Sequence, residues 1–243
     1  MLSNYQFLEK IQTSFKEFIK CKTSRSTAKL KPLHGAIAQD IAKRLGDEYK
    51  IWSQGYDEDK EIKINGRYID KNVDITIVNK QTERPVAGIA IKFVMQNYSQ
   101  NSNNYFENML GETANIRTAN CPYFQIFIIL DKLPYYQKNG TIKKWEKFTG
   151  RNIHKYSVLA EDNIEQFMHT PNKTLIYVVH VLPDIPEETK TKEEYMNYYN
   201  KHKNKLCIKE SENEYKELKK GGNIIFNNYK SFMDKIYHTI KSI

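Results

Sequence analysis

This chain predicts an α/β fold built on a mixed sheet, and three observations carry the prediction. Apolar residues recur at helical spacing in 33–45 and again within 97–117, and short runs rich in β-branched residues lie between them. "YFQIFIIL" (123–130) is a continuous apolar run of strand length, the pattern of a strand buried on both faces. Together they give the order α-β-β-β-α-β over about residues 33–130. With 40% apolar and 12% aromatic residues, a 243-residue chain can bury the core of a single domain, so 1–243 is read as one unit.

The elements follow in order. Phe7, Leu8, Ile11, Phe15, Phe18 and Ile19 place a helix over 5–20, followed by the polar, basic stretch 21–32. Leu33, Ile37, Ile41 and Leu45 repeat every fourth position and give the next helix one apolar stripe. "YKIWSQGY" (49–56) reads as a strand, and "DEDKEIKINGR" as a charged loop or edge hairpin turning at Asn65-Gly66. Residues 68–78 and 86–94 are the second and third strands. A polar, cap-rich stretch from Asn97 leads into a helix whose Phe106, Met109, Leu110, Ala114 and Ile116 share a face. After 130 the pattern is weaker: a strand at 174–182, a charged segment closing as a helix before 205, and a last helix with an apolar period from Phe226 to Ile240. These C-terminal, mainly helical additions and the insertions are expected to carry recognition, with the core at 33–130.

The net charge of +9, from 38 basic and 29 acidic residues, favours a polyanionic partner, with nucleic acid the first expectation. Cys21, Cys121 and Cys207 are widely spaced and form no metal-binding pattern, which predicts reduced thiols and a cytoplasmic location. No apolar run reaches the roughly 18 residues of a membrane span, and the N-terminus lacks a leader pattern.

Two charges stand out in the predicted strands: Asp74 among β-branched residues, and Lys92 in an apolar run. Alternation puts Asp74 on the face of Asn72 and Thr76, and Lys92 on the face of Ala90. If the strands pair, one acid meets one base. That is the minimum equipment of a divalent-metal phosphodiesterase, in which the acid holds a hard cation and the lysine orients the attacking water. The alternative is a cross-strand ion pair with a structural role only.

Element order and motif together resemble the PD-(D/E)XK nuclease superfamily, with a likeness to type II restriction endonucleases, over about 33–130. Val73-Asp74 stands at the family's "PD", with Val in place of Pro, and Ala90-Ile91-Lys92 at its "(D/E)XK", with Ala90 where an acid belongs. The resemblance implies a restriction-endonuclease-like core and a magnesium-dependent endonuclease that cuts double-stranded DNA at specific sites as a homodimer. It implies metal ligation by Asp74 and the Ile91 carbonyl, with Lys92 positioning water. Ala90 leaves three explanations: a dead site, an inactivating substitution, or an acid relocated to the following helix. For the last, Glu107 is preferred and Glu112 is the alternative; the two lie about 140° apart on a helix. A non-catalytic nucleic-acid-binding protein and a structure-specific repair nuclease are the competing functions.

Further contacts are expected from charge alone. Arg25, Lys29 and Lys31, with Ser24 and Ser26, form one basic group, and Lys143, Lys144, Arg151, Asn152 and Lys155 another, the latter including Trp145, Lys147 and His154. His34 is a candidate phosphate contact, Gln39 or Asp40 a candidate accessory acid position, and Asp70 a second acid near Asp74 or a surface charge.

Overall fold

In a computed structural model, residues 1–21, 27–215 and 222–243 are described. Two N-terminal helices, α1 (Asn4–Cys21) and α2 (Lys31–Leu45), precede a run of short strands: β1 (Tyr49–Ser53), β2 (Ile62–Asn65), β3 (Asp70–Val73), β4 (Ile75–Asn79) and β5 (Arg84–Val94). Helix α3 (Tyr98–Arg117) then leads to β6 (Tyr123–Leu130). The C-terminal half contributes β7 (Lys132–Tyr136), β8 (Ile142–Lys147), α4 (Gly150–Ala160), β9 (Lys173–Leu182), α5 (Lys192–Lys201), β10 (Cys207–Glu210), β11 (Ile224–Phe226) and α6 (Tyr229–Lys241). The architecture is α/β: a mixed sheet flanked by helices.

The sheet runs β1-β4-β5-β6-β9-β10, with β11 also on β9. The pairs β1–β4 and β4–β5 are antiparallel, β5–β6 and β6–β9 parallel. A strand with parallel neighbours on a sheet covered on both faces must be apolar throughout, and β6 is buried along its whole length. Its two faces meet different layers. Phe124 meets Phe232 of α6 edge-on at 6.3 Å, while Phe127 packs on Tyr156 of α4 at 5.5 Å. On the first side Phe7 of α1 stacks on Tyr229 at 4.1 Å and meets Tyr177 at 5.1 Å. Thus α1, α2 and α6 cover one face, and α3, α4 and the hairpins β2–β3 and β7–β8 cover the other.

Three expectations change. The strand expected over 68–78 is two strands, because β3 pairs with β2 whereas β4 pairs with β1 and β5; the partner exchange forces a break at Asp74. The final helix starts at Tyr229, since Phe226 belongs to β11 and pairs with Ile176. Beyond residue 130 the additions are not mainly helical: β9, β10 and β11 extend the main sheet and β7–β8 forms a separate hairpin. Cys21, Cys121 and Cys207 are free. No helix among the described residues is long and apolar enough to cross a membrane.

Buried polar groups fasten the layers. Asp40, expected as a possible accessory acid, instead ties the N-terminus to α6: its oxygens accept from the Leu2 amide at 2.8 Å, Arg44 Nε at 3.2 Å and the Tyr229 hydroxyl at 3.1 Å. Helix α3 begins after Asn97, whose side chain makes no cap. Glu146 of β8 does that work, accepting from the amides of Tyr98 at 2.7 Å and Ser99 at 3.1 Å and from the Ser99 hydroxyl. A carboxylate there satisfies orphan donors and complements the helix dipole. Replacing it strands those amides in a buried place, so Glu146→Ala should lower stability by about 2 kcal/mol, with Glu146→Gln losing less. Urea denaturation followed by circular dichroism measures both.

Candidate functional site

Asp74 sits in the break between β3 and β4. Its carbonyl, left out of the sheet ladder there, accepts from the Ser53 hydroxyl at 2.8 Å. Its carboxylate accepts from the Ile91 amide at 2.6 Å, which locks the acid against β5. The β4–β5 register ends at Ile75 opposite Ile89, so Asp74 comes alongside Ala90. On the other side of β5, Ala90 pairs with Gln125 and Lys92 with Phe127 of β6. A cavity of about 270 Å³ opens on this face, lined by Asp74, Ala90, Lys92, Tyr105, Glu112 and Gln125 among others.

Asp74 and Lys92 therefore share one cavity, but they do not form the structural ion pair offered as the alternative. The Lys92 ammonium lies over the Tyr105 ring, 4.4 Å from its centroid. Lys92 is open to solvent along the cavity, yet the protein crowding its ammonium lowers its pKa, against the opposing pull of Asp74 and Glu112. Burial is also the main influence on Asp74, raising its pKa to about 6; Glu112 adds to the rise, and the Ile91 hydrogen bond, Lys92 and Lys71 oppose it.

The two glutamates of α3 separate as their helical phase requires. Glu112 faces the cavity, held by an ion pair to Lys71 at 2.6 Å. Glu107 is exposed, does not line the cavity, and its charge acts instead on Lys155 of α4. The preferred relocated acid thus points away from Asp74, because a five-residue step turns the helix by about 140° from the cavity-facing Glu112.

A second group approaches Asp74 from the opposite side. His34, in the first turns of α2, and Glu61, just before β2, each bring one ligand atom so that these and one of Asp74 all lie within 4.8 Å of one another. Helix α2 reaches this place because Gly35 rests on the chain beyond β1; a Cβ at Gly35 would stand 2.0 Å from the Gly55 carbonyl oxygen. His34 is buried, its Nε2 has no hydrogen-bond partner, and burial alone lowers its pKa to about 4, so it is a neutral imidazole. Glu61 is raised by burial and by the charge of Asp74, while Gln54, donating at 2.9 Å, opposes the rise. One imidazole nitrogen and two carboxylates converging in a shielded place form a donor set for a divalent cation.

Other sequence expectations distribute unevenly. Arg25, with Ser24 and Ser26, lies outside the described residues. Lys29 is buried; burial chiefly, and then Lys92, lower its pKa to about 8, so it lies near the cavity rather than on a basic loop. Lys31 pairs with Asp59 at 2.6 Å. Lys143, Lys144 and Arg151 are exposed on β8 and α4, away from the cavity lining. Asn152 is occupied by the capping box with Thr149, and Lys155 donates to the Ser102 carbonyl at 2.7 Å, so both hold the fold together. Gln39 and Asp70 are exposed.

Sequence reasoning missed Glu61, one of four acids in the run 57–61 with nothing to distinguish it. It also missed Gln125, a polar residue alone in an apolar strand, which was a readable sign. Gln125 is buried with an unpartnered Nε2 at the cavity wall. No protein-family model, curated protein or solved structure matches the chain.

Asp74 also makes stability depend on pH. Its folded pKa lies above the ordinary carboxylate value, so its contribution is fully present below about pH 4 and is lost as pH rises through about 6. Asp74→Asn keeps an acceptor for the Ile91 amide and removes the buried charge. With chelator present it should be about 1–3 kcal/mol more stable than the parent at pH 7.5, and the gain should vanish toward pH 4. Thermal melts across that range test this.

Proposed function

We propose that this protein is a divalent-metal-dependent nuclease that hydrolyses double-stranded DNA. The observation that carries the reading is Asp74: one carboxylate, fixed by the Ile91 amide, placed between the His34–Glu61 pair and the cavity of Lys92 and Glu112. The order α2-β1-β4-β5-α3-β6, with two antiparallel pairs followed by a parallel one, supports a restriction-endonuclease-like core. The net charge of +9 supports a polyanionic substrate.

Asp74, Glu61 and His34 would hold magnesium or manganese, and the orphaned Nε2 of His34 fits a ligand better than it fits a buried structural histidine. A bound cation supplies Lewis-acid stabilisation of charge on the scissile phosphodiester. Lys92, its pKa lowered, places an ammonium or amine in the cavity where water approaches, and so offsets charge and guides a proton at that water. Glu112, neutralised in part by Lys71, and Gln125, with an unpartnered donor at the cavity wall, orient the substrate. In this reading the acid missing at Ala90 is made good by Glu61 and His34, from the chain segments that precede the "PD" position. Cutting both strands with one such site per chain calls for two copies, hence a homodimer, and a restriction-type target.

Plasmid cleavage in magnesium and in manganese tests the reading. Lys92→Ala should lower the rate at least a hundredfold while duplex binding in calcium changes little, since the lysine acts mainly in the transition state. His34→Ala and Glu61→Gln should each raise the metal concentration required, whereas Glu107→Ala should cut like the parent. Undiminished cleavage by Lys92→Ala would refute the assignment, and binding without cleavage by the parent would favour a non-catalytic DNA-binding protein.

A further inference from the structure

The β2–β3 hairpin carries a feature that the cavity chemistry does not use. Its tip, Gly66 to Ile69, exposes Tyr68 (77%) and Ile69 (65%), two of the most exposed large apolar residues in the described chain. An exposed tip of this kind is ordinarily a loose loop. This one is fastened. The Asn115 carbonyl accepts from the Arg67 amide at 2.9 Å; its side-chain oxygen accepts from the amides of Tyr68 at 2.9 Å and Ile69 at 3.3 Å; its side-chain nitrogen donates to the Ile69 carbonyl at 2.8 Å. Asn115 is itself buried in α3, and Gly66 leaves it room: a Cβ there would stand 2.0 Å from the Asn115 nitrogen. A buried asparagine is thus spent on holding an apolar pair out in solvent.

The same two elements build the cavity. Strand β3 runs from the tip straight to Asp74, a distance of roughly 13 Å at ~3.3 Å per residue from Asp70. Helix α3 places Glu112 in the cavity wall and Asn115, one turn further on, under the tip, while Lys71 of β3 bonds Glu112. The tip therefore stands a few base pairs from any phosphate bound at Asp74. Its surroundings are cationic. Arg67 lies 5.9 Å from the Tyr68 ring centroid, and a groove of about 900 Å³ at the base of the hairpin, beginning at Asn65, presents Lys63, Lys80 and Arg84 against the single acid Glu83.

We propose that Arg67, Tyr68 and Ile69 form a rigid wedge that enters a groove of double-stranded DNA beside the bond to be cut, with the adjoining basic groove taking the phosphate backbone. An apolar wedge costs unstacking and is useful only when its own ordering is already complete, which is what Asn115 provides. Arg67 supplies charge at the groove edge, and the groove supplies counter-charge to the displaced strand. The proposal rests on the nuclease reading for its substrate, but its test does not depend on cleavage.

The full chain is titrated in calcium against a pool of 30-base-pair duplexes carrying 2-aminopurine, with anisotropy reading affinity and 2-aminopurine emission reading unstacking. The parent should bind and raise the emission. The double variant Tyr68→Ala, Ile69→Ala should bind about tenfold more weakly and lose the rise, Tyr68→Trp should keep both, and Tyr5→Ala, an exposed tyrosine on α1, should match the parent. Both altered residues are exposed, and a thermal melt equal to the parent's shows that the double variant is folded. Lys63→Ala with Arg84→Ala should instead lower the salt dependence of binding while leaving the emission at saturation unchanged. The wedge is overturned if the double variant binds and unstacks as the parent does, if the parent binds no duplex, or if sedimentation shows that the double variant has lost only self-association, which would make the tip a contact with a second copy. The nuclease reading fails separately, if the parent binds and unstacks duplex but leaves plasmid intact in magnesium and manganese.

Discussion

The hydrogen bond from the Ile91 amide to the Asp74 carboxylate is the constraint on which the site depends. Strands β3 and β4 are consecutive in the chain but belong to different sheets, so the backbone between them must leave one ladder and enter another. At that point Asp74 has lost ladder partners, and the structure replaces them with Ser53 on its carbonyl and Ile91 on its carboxylate. The acid is thereby fixed to the strand that carries Lys92 without being neutralised by it. Because the break also frees β2–β3 to fold over the sheet, the same constraint brings Glu61 to Asp74 and sends the hairpin tip outward.

The charges around the cavity are balanced loosely rather than in closed pairs. Asp74, Glu61 and Glu112 are acids and Lys92 and Lys71 are bases; Lys71 meets Glu112 at hydrogen-bond distance, whereas Lys92 lies over the Tyr105 ring instead of closing a pair with Asp74. Burial pushes acids up and bases down, so Asp74 and Lys29 titrate nearer neutrality than they would in water. A site meant only for stability would close those pairs or replace them by apolar groups. Orphaned atoms on His34 and Gln125 point the same way, since buried polar groups in a structural core normally find partners.

Polar side chains also decide how the outer layer sits. Glu146 caps α3 from a hairpin 48 residues away, Asn115 clamps the β2–β3 tip, and Asp40 joins α2, α6 and the N-terminus. Each satisfies several backbone or side-chain donors at once, and each joins segments far apart in the chain. Helix α3 is common to the first two: it is capped at one end, faces the cavity in its middle and holds the hairpin tip near its other end.

Amino-acid pattern alone determined the α/β class, the helices that flank the N-terminal strands, and the two charges Asp74 and Lys92, because helix and strand periods and a lone charge in an apolar run are local properties; that the run 68–78 divides between two sheets was decided by strand pairing. The residues around those charges were decided by tertiary structure. Glu61 is indistinguishable in sequence from Asp57, Glu58 and Asp59 and becomes special only when the hairpin folds over the sheet. The choice between Glu107 and Glu112 is a matter of helical phase relative to the sheet, and phase is set by which face of α3 is buried rather than by spacing from Lys92. The same holds for the basic residues: Lys143 and Lys155 look alike in sequence, yet one is exposed and the other holds the Ser102 carbonyl. A side chain's type is written in the chain, but its neighbours are fixed only when segments distant in sequence pack, and the chemistry of a site belongs to the neighbours.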